Sequence, residues 1–357
     1  GQYAERSTLV YNIVTNRALV VLAKKLKRPD LLHPVRRNLE SMLYLLHPGC
    51  EVVTEVSRRQ DVNRRGTIAG YWFALQSLAL EDNDGRFASL AARFAPQAAP
   101  LPALLEYPEL SRPLPPPAAV PEDYEKQFPA LGITRIRRGA VSATLILGGS
   151  SRFFSLRRGE AVINAVRFAS AFFGKGQFVP RNATRRDGAY HFTQSLTADY
   201  LQPLEPPRRL TGEEFYATRG RRRRSEICAL EQEATVTESR GGFRVRVQAH
   251  GTDEVPLAVE INLREGGKLE GCSPVATVPD AWLLESGSAV YRAGRDAIRF
   301  GPGAAATRYV TVRGAEQKLD GPSVYLTGYT PFDHTLTFEV IVYRLRRALS
   351  SPICLGV

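Results

Sequence analysis

Two stretches of the 357-residue sequence gather side chains that could handle an anion or a proton. In "EVVTEVSRRQDVNRR", residues 51–65, a short apolar alternation runs into Arg58, Arg59, Gln60 and Asp61. A guanidinium pairs bidentately with carboxylate, sulfate-like or phosphate groups, so Arg58 and Arg59 suit an acidic ligand and Asp61 could orient one of them. The alternative for this stretch is a solvated basic loop. In "TPFDH", His334 follows Asp333 and is the histidine best suited to acid/base work, although adjacency in sequence does not by itself make a dyad. Tyr71 and Trp72 in "IAGYWFALQ" offer aromatic faces for stacking on sugar CH groups, with core packing as the other fate of such a pair.

The formal net charge of +12 is carried mostly by arginine and favours acidic partners. The densest run, "RGRRRRSE" at 219–226, reads either as a self-repelling loop or as a holder of sulfated, uronic or phosphate groups. No aromatic interleaves the run itself, so nucleic acid is not the favoured partner. Cys50, Cys228, Cys272 and Cys354 are far apart, with no CxxC pair, so no metal and no cofactor is expected and the thiols read as free and mostly buried. No run of about 18 apolar residues and no signal-peptide order is present, so membrane insertion is not expected. Oligomeric state and compartment have no signature in this composition.

The elements that must position these groups change character along the chain. "TLVYNIVTNRALVVLAKKL" places Leu9, Asn12, Ile13, Asn16, Leu19, Val20 and Ala23 near one face at helical period. "RPDLLHPVRRNLESMLYLLHPGC" repeats that pattern, and "GTIAGYWFALQSLALEDNDGRFASLAARFA" resumes it around a turn-prone "EDNDG". This predicts a helical domain over 1–96. Residues 97–130 are proline-rich, which opposes helix and central strand and predicts a linker. From 131 to 357 short apolar or alternating runs between Gly, Asp and Arg turns predict strands, with "ESRGGFRVRVQA" a hairpin in which Gly241 and Gly242 can take positive φ. The expected fold class is α+β multidomain: a helical layer followed by a large antiparallel β-sandwich.

Within this frame "YNIVTNRALVVLA", "LHPG…EVVTEVSRRQD", "SRFFSLRRGEAVINAVRFASAFFGKGQF" and "YLTGYTPFDHTLTF" resemble the heparinase II/III-like polysaccharide lyase superfamily. The resemblance implies a partial α/α toroid packed on the sandwich, with this chain as the C-terminal part of a longer protein beginning in the last toroid helices. It also implies β-elimination on uronate-containing polysaccharide: the carboxylate is neutralised, the C5 proton removed and the leaving oxygen protonated. By the same resemblance Asn12 or Asn16 would neutralise the carboxylate, with Arg17 beside them. The family's tyrosine position falls on Gln60, whose amide cannot transfer a proton as a phenol does. Lys175 and Gln177 in "GKGQF" stand where the family has histidines, and Lys175 would be the base only if its surroundings lowered its pKa.

The expected catalytic set is therefore Asn12, Gln60, Lys175 and His334, and the expected binding set is Asn16, Arg17, Arg58, Arg59, Asp61, Tyr71, Trp72 and Gln177. The leading expectation is a heparinase II/III-like protein that binds acidic polysaccharide and retains β-elimination if active. The second is a non-catalytic polysaccharide-binding or polymer-assembly protein, and the third is nonspecific nucleic-acid binding through the arginine run.

Overall fold

The computed structural model describes residues 1–98 and 101–342. Cys354 and the end of the expected sandwich lie outside the described residues. Cys50, Cys228 and Cys272 are free, and all three are half-buried rather than buried.

The helical layer is built from α1 (Tyr11–Lys25), α2 (Leu32–Met42), α3 (Trp72–Asp82) and α4 (Gly85–Ala98). α1 turns Asn12, Asn16, Val20 and Ala23 inward, at the spacing that its sequence predicts. α3 is buried all round from Trp72 to Ala79, because neighbouring elements cover every face of it. It ends at Asn83, whose left-handed φ of 52° reverses the chain into α4. Phe87, Leu90 and Phe94 of α4 then close the same core as Val35, Leu39 and Met42 of α2.

The proline-rich stretch is more structured than its composition suggests. It contains α5 (Leu101–Glu106), where Pro102 sits in the first turn and its missing N–H costs nothing. It also contains the first strand, β1 (Asp123–Phe128), at the edge of a sheet, where prolines nearby interrupt no ladder. Between them the chain packs on the start of α4: Ala118 N–H donates to Gly85 O at 2.9 Å, and a Cβ at Gly85 would lie 2.4 Å from Pro116 O.

Two sheets face each other across one core. The nine-stranded sheet begins with β1, β2 (Ile133–Arg138), β3 (Val141–Ile146), β4 (Phe154–Arg158) and β5 (Ala161–Ser170), and continues through strands Pro256–Leu263 and Ser323–Tyr329. The eight-stranded sheet centres on Phe332–Val342, Gly242–Gly251, Arg224–Ser239 and Ala189–Leu201. Pairing between the described strands is antiparallel except for the short parallel contact of Ala281–Leu283 with Ser323–Tyr329, beside which Ala305 makes an isolated parallel bridge to Thr327. Phe153, Phe154, Phe168, Phe178, Phe192 and Phe243 fill the space between the sheets.

The sheets differ on their outer faces, and the sequence shows why. Residues 242–249 alternate between buried and accessible, as in a sheet with one face in water. β2, β3 and β5 are buried almost throughout, because their outer face is also covered. The segment 44–55 covers β2 to β4, and residues 310–317 cover β5 and its neighbour with Val310 and Val312. Arg135, Arg137, Arg157 and Arg167 consequently point under a roof rather than into solvent.

Candidate functional site

The chain turns sharply at Gly49 and Cys50, with φ of 80° and 63°, and so presents His47, Glu51 and Glu55 to the outer face of β2, β3 and β4. Arg135 on β2 is fully buried and donates to Ala143 O at 2.9 Å, to Ser142 Oγ at 2.6 Å and to the Thr144 hydroxyl. Thr144 in turn donates to Glu55 Oε1 at 2.6 Å. Ser142 Oγ, which accepts from Arg135, lies 3.0 Å from His47 Nδ1 and donates to it when the His47 proton is on Nε2, the nitrogen that faces Glu55. His47 Nε2 lies 3.4 Å from Glu55 Oε1. Burial pushes the His47 pKa down to about 4 against the pull of Glu55, and Arg135 and Arg157 add to the lowering. Burial opposes ionisation of Glu55, yet His47, Arg135 and the Thr144 hydroxyl outweigh it and hold the carboxyl below its usual range. The consistent state is a neutral His47 carrying its proton on Nε2.

Glu51 is the second centre. Its carboxylate receives Arg157 at 2.8 and 2.9 Å and Arg264 at 2.6 and 3.3 Å, with Arg65 Nε at 3.4 Å. Burial again opposes the charge, and the two guanidiniums outweigh it. The recess between the two centres is about 30 Å³, room for a water or two and not for a sugar ring. Ser142, His47 and Glu55 have the residue types of a nucleophilic triad. Ser142 is 1 % exposed, however, and its oxygen is committed to Arg135, so the set locks an interface and presents no nucleophile.

The sequence-predicted residues are spread over separate places. Asn12 and Asn16 are buried beneath residues 1–8: Asn12 donates to Gln2, while Asn16 donates to Asn38 at 2.9 Å and accepts from Tyr3 at 2.7 Å. Arg17 is exposed, 5.8 Å from the Phe73 ring. Asp61 does not orient an arginine. It is buried, accepting from Leu9 N–H at 2.9 Å and Ser57 Oγ at 3.0 Å, and so anchors the entry to α1. Tyr71 and Trp72 are core residues with no ring face open to a sugar, and the Tyr71 hydroxyl donates to Thr8 O. His334 donates from Nε2 to the Pro302 carbonyl at 2.8 Å. Its neighbour Asp333 is taken by Arg246 at 2.7 Å, so the two form no dyad.

Two groupings are exposed. Arg59 lies 5.2 Å over the Tyr11 ring and 3.2 Å from Glu5, and Gln60 donates to the Tyr11 hydroxyl at 3.4 Å, while Arg58 is exposed beside them. The hydrogen bond from Gln60, then that from Arg59, lower the Tyr11 pKa. Tyr11 was not singled out from sequence, although its place one residue before Asn12 was available as a signal.

The other grouping follows β5. Gly176 must be glycine, since a Cβ would lie 2.0 Å from Ser170 O. Gln177 is structural: it donates to Phe168 O at 3.0 Å and accepts from Glu316 N–H at 2.9 Å. Lys175 is exposed, donates to Thr197 O and opens onto a groove of about 660 Å³ with Arg181, Asn182 and Thr193. Among the described residues neither Lys175 nor Arg181 has a carboxylate in ion-pair contact. Arg181 has no distinguishing neighbour in sequence. No group of three or more His, Cys, Asp or Glu that could hold a metal occurs among the described residues.

No family model matches the sequence, and no curated protein matches it. Among solved structures the chain is similar to a mutant of heparan sulfate lyase HepC from Pedobacter heparinus, at 9% identity and a TM-score of 0.49 over 96% of this chain and 54% of that one. It is similar to HepC itself from the same organism at 11% identity and a TM-score of 0.44, over 97% and 54% of the two chains. A galactose mutarotase-like protein from Lactobacillus casei ATCC 334 has 11% identity and a TM-score of 0.31, over 59% of this chain and 100% of that one. The chain thus spans about half the length (54%) of the heparan sulfate lyase chains with which it was compared.

Proposed function

We propose that this chain binds acidic polysaccharide on the sandwich, in the groove of Lys175 and Arg181, without assembling the groups for β-elimination. The observation that carries the reading is the contrast between committed and free cations. Arg157 and Arg264 at the helical junction are neutralised by Glu51, whereas Lys175 and Arg181 face an open groove of a size typical for ligands. Asn12 is buried, and no hydrogen bond or ion pair links it, Gln60, Lys175 or His334 to one another among the described contacts. In this setting Lys175 supplies charge for a uronate or sulfate group.

The test is a titration with heparan sulfate, chondroitin sulfate, hyaluronan and alginate while ultraviolet absorbance is followed for unsaturated uronides. Saturable binding to one polymer without product is expected. Lys175→Ala with Arg181→Ala should weaken it at least about tenfold, since charged hydrogen bonds contribute about 1.5–3 kcal/mol each. Unchanged affinity in that double variant, or equal affinity for DNA, would remove the groove reading. A second reading has one observation behind it, the Tyr11 phenol with its lowered pKa beside Arg59 and Gln60. Product that forms with the parent chain and vanishes with Tyr11→Phe would establish a lyase instead.

A further inference from the structure

The hairpin of strands Ala189–Leu201 and Arg224–Ser239 is closed by a long connection, residues 202–223. Helix α6 (Gly212–Thr218) begins there with a capping box, in which Thr211 Oγ1 accepts from Glu214 N–H at 3.2 Å and the Glu214 carboxylate accepts from Thr211 N–H at 2.9 Å. Arg219, Arg221, Arg222, Arg223 and Arg224 follow it. Arg224 meets Asp199 at 3.5 Å and, upstream, Arg208 meets Glu214 at 4.0 Å. The other four have no carboxylate in ion-pair contact among the described residues.

The fold brings to this run the aromatic residues that its own sequence lacks. The Arg222 guanidinium lies 4.4 Å from the Phe215 ring centre, Phe215 meets Tyr216 edge-on, and Tyr200 meets Phe173 edge-on at 5.0 Å. Ile227 is 78 % exposed and Tyr216 71 %, and Tyr200, Phe215 and Phe173 are also exposed. Arginine alone would suit any polyanion. Exposed Ile227, two residues along the strand from Ser225, the partner of Tyr200, is matched by no feature of a hydrated polyanion, whereas a bilayer interface offers phosphates to guanidiniums and a less polar zone to Tyr, Phe and Ile. Docking of this kind needs no spanning segment, and none of the described helices is long and apolar enough to cross a membrane.

We propose that the hairpin end docks on an anionic phospholipid surface, with the arginines on headgroup phosphates and Tyr216 and Ile227 entering the interface. The full chain would be sedimented with phosphatidylcholine vesicles, with and without phosphatidylglycerol. Binding only to the anionic vesicles is expected, weakening with salt. Arg221→Ala with Arg223→Ala should lower the partition coefficient about 25-fold, at about fivefold for each arginine near the surface. Tyr216→Ser with Ile227→Ser should lower it at least about tenfold, with unchanged circular dichroism because all four side chains lie at the surface. Equal partition on both vesicle types, or no binding, would overturn the proposal. Single-stranded DNA displacing the vesicles while the Tyr216/Ile227 variant binds normally would do so too, and would mark a plain polyanion site.

Discussion

Glu51→Ala is expected to destabilise the protein by about 3–5 kcal/mol, the usual cost of removing one partner from a buried ion pair. The carboxylate is 7 % exposed and Arg157 3 % exposed, so alanine leaves Arg157 with its guanidinium out of water and its charge uncompensated. Arg264 is more accessible and can partly rehydrate. The two tryptophans allow the loss to be located: Trp72 lies in the helical core and Trp282 in a strand of the nine-stranded sheet. Fluorescence during urea unfolding of single-tryptophan forms should show the Trp72 transition moving to lower denaturant, since Glu51 belongs to the segment that joins the helical layer to β4. Arg246→Ala provides the contrast. Its partner Asp333 and Arg246 itself are both half exposed, so water screens that pair and its loss should barely move the unfolding transition. A Glu51→Ala loss as small as the Arg246→Ala loss would show that the Glu51 cluster is solvated and not a buried clamp.

That expectation bears on what the sequence could reveal. Local order was legible where local rules decide it. The period of α1, the reversal at Asn83 and the hairpin turn at Gly241, with φ of 83°, each rest on residues within a few positions of one another. The surroundings of the strand arginines were not legible in this way. In "ITRIRR" and "FSLRR" the alternation predicts strands, but whether Arg135, Arg137 and Arg157 meet solvent or a buried acceptor depends on residues 44–55, which lie about 80 to 110 positions away in the chain. A high net charge therefore says little about partners until the cations neutralised inside the fold, such as Arg157, Arg167 and Arg264, are set apart from the exposed ones.

The site residues divide in the same way. Asp333 and His334 are consecutive in a strand, so their side chains leave opposite faces, and the absence of a dyad follows from period two once the strand is recognised. Asp61 could not be read so simply. Its partners, Leu9 N–H and Ser57, combine a local contact with one 52 positions away that only the packed helical layer supplies. Glu51 and Glu55 did carry a signal: two carboxylates four apart in an otherwise apolar "EVVTE", a composition that buried segments tolerate only when cations meet them.

Acidification should loosen the same junction, and His47 fixes the direction. In the folded protein burial holds its pKa near 4, while in the unfolded chain it titrates at its ordinary 6.5. Between these values the unfolded chain binds a proton that the folded protein refuses, so stability falls as pH falls through this window and is fully present above it. From about pH 7 to pH 5 the loss from this group is about 2 kcal/mol. Glu55 acts with the same sign at lower pH, because its depressed pKa makes ionisation part of the fold, and protonating it removes that contribution. His47→Gln separates the two. The amide can still donate to Glu55 but does not titrate, so the variant should be less sensitive than the parent between about pH 7 and pH 5, whereas further down the two differ only through Glu55, whose depression rests mainly on His47. The comparison uses the slope against pH rather than absolute stability, and so survives any packing defect that the substitution brings. If parent and variant lost the same stability over that interval, His47 would have to be titrating at an ordinary value, in contact with water that the packing of Arg135, Ser142 and Glu55 around it leaves little room for.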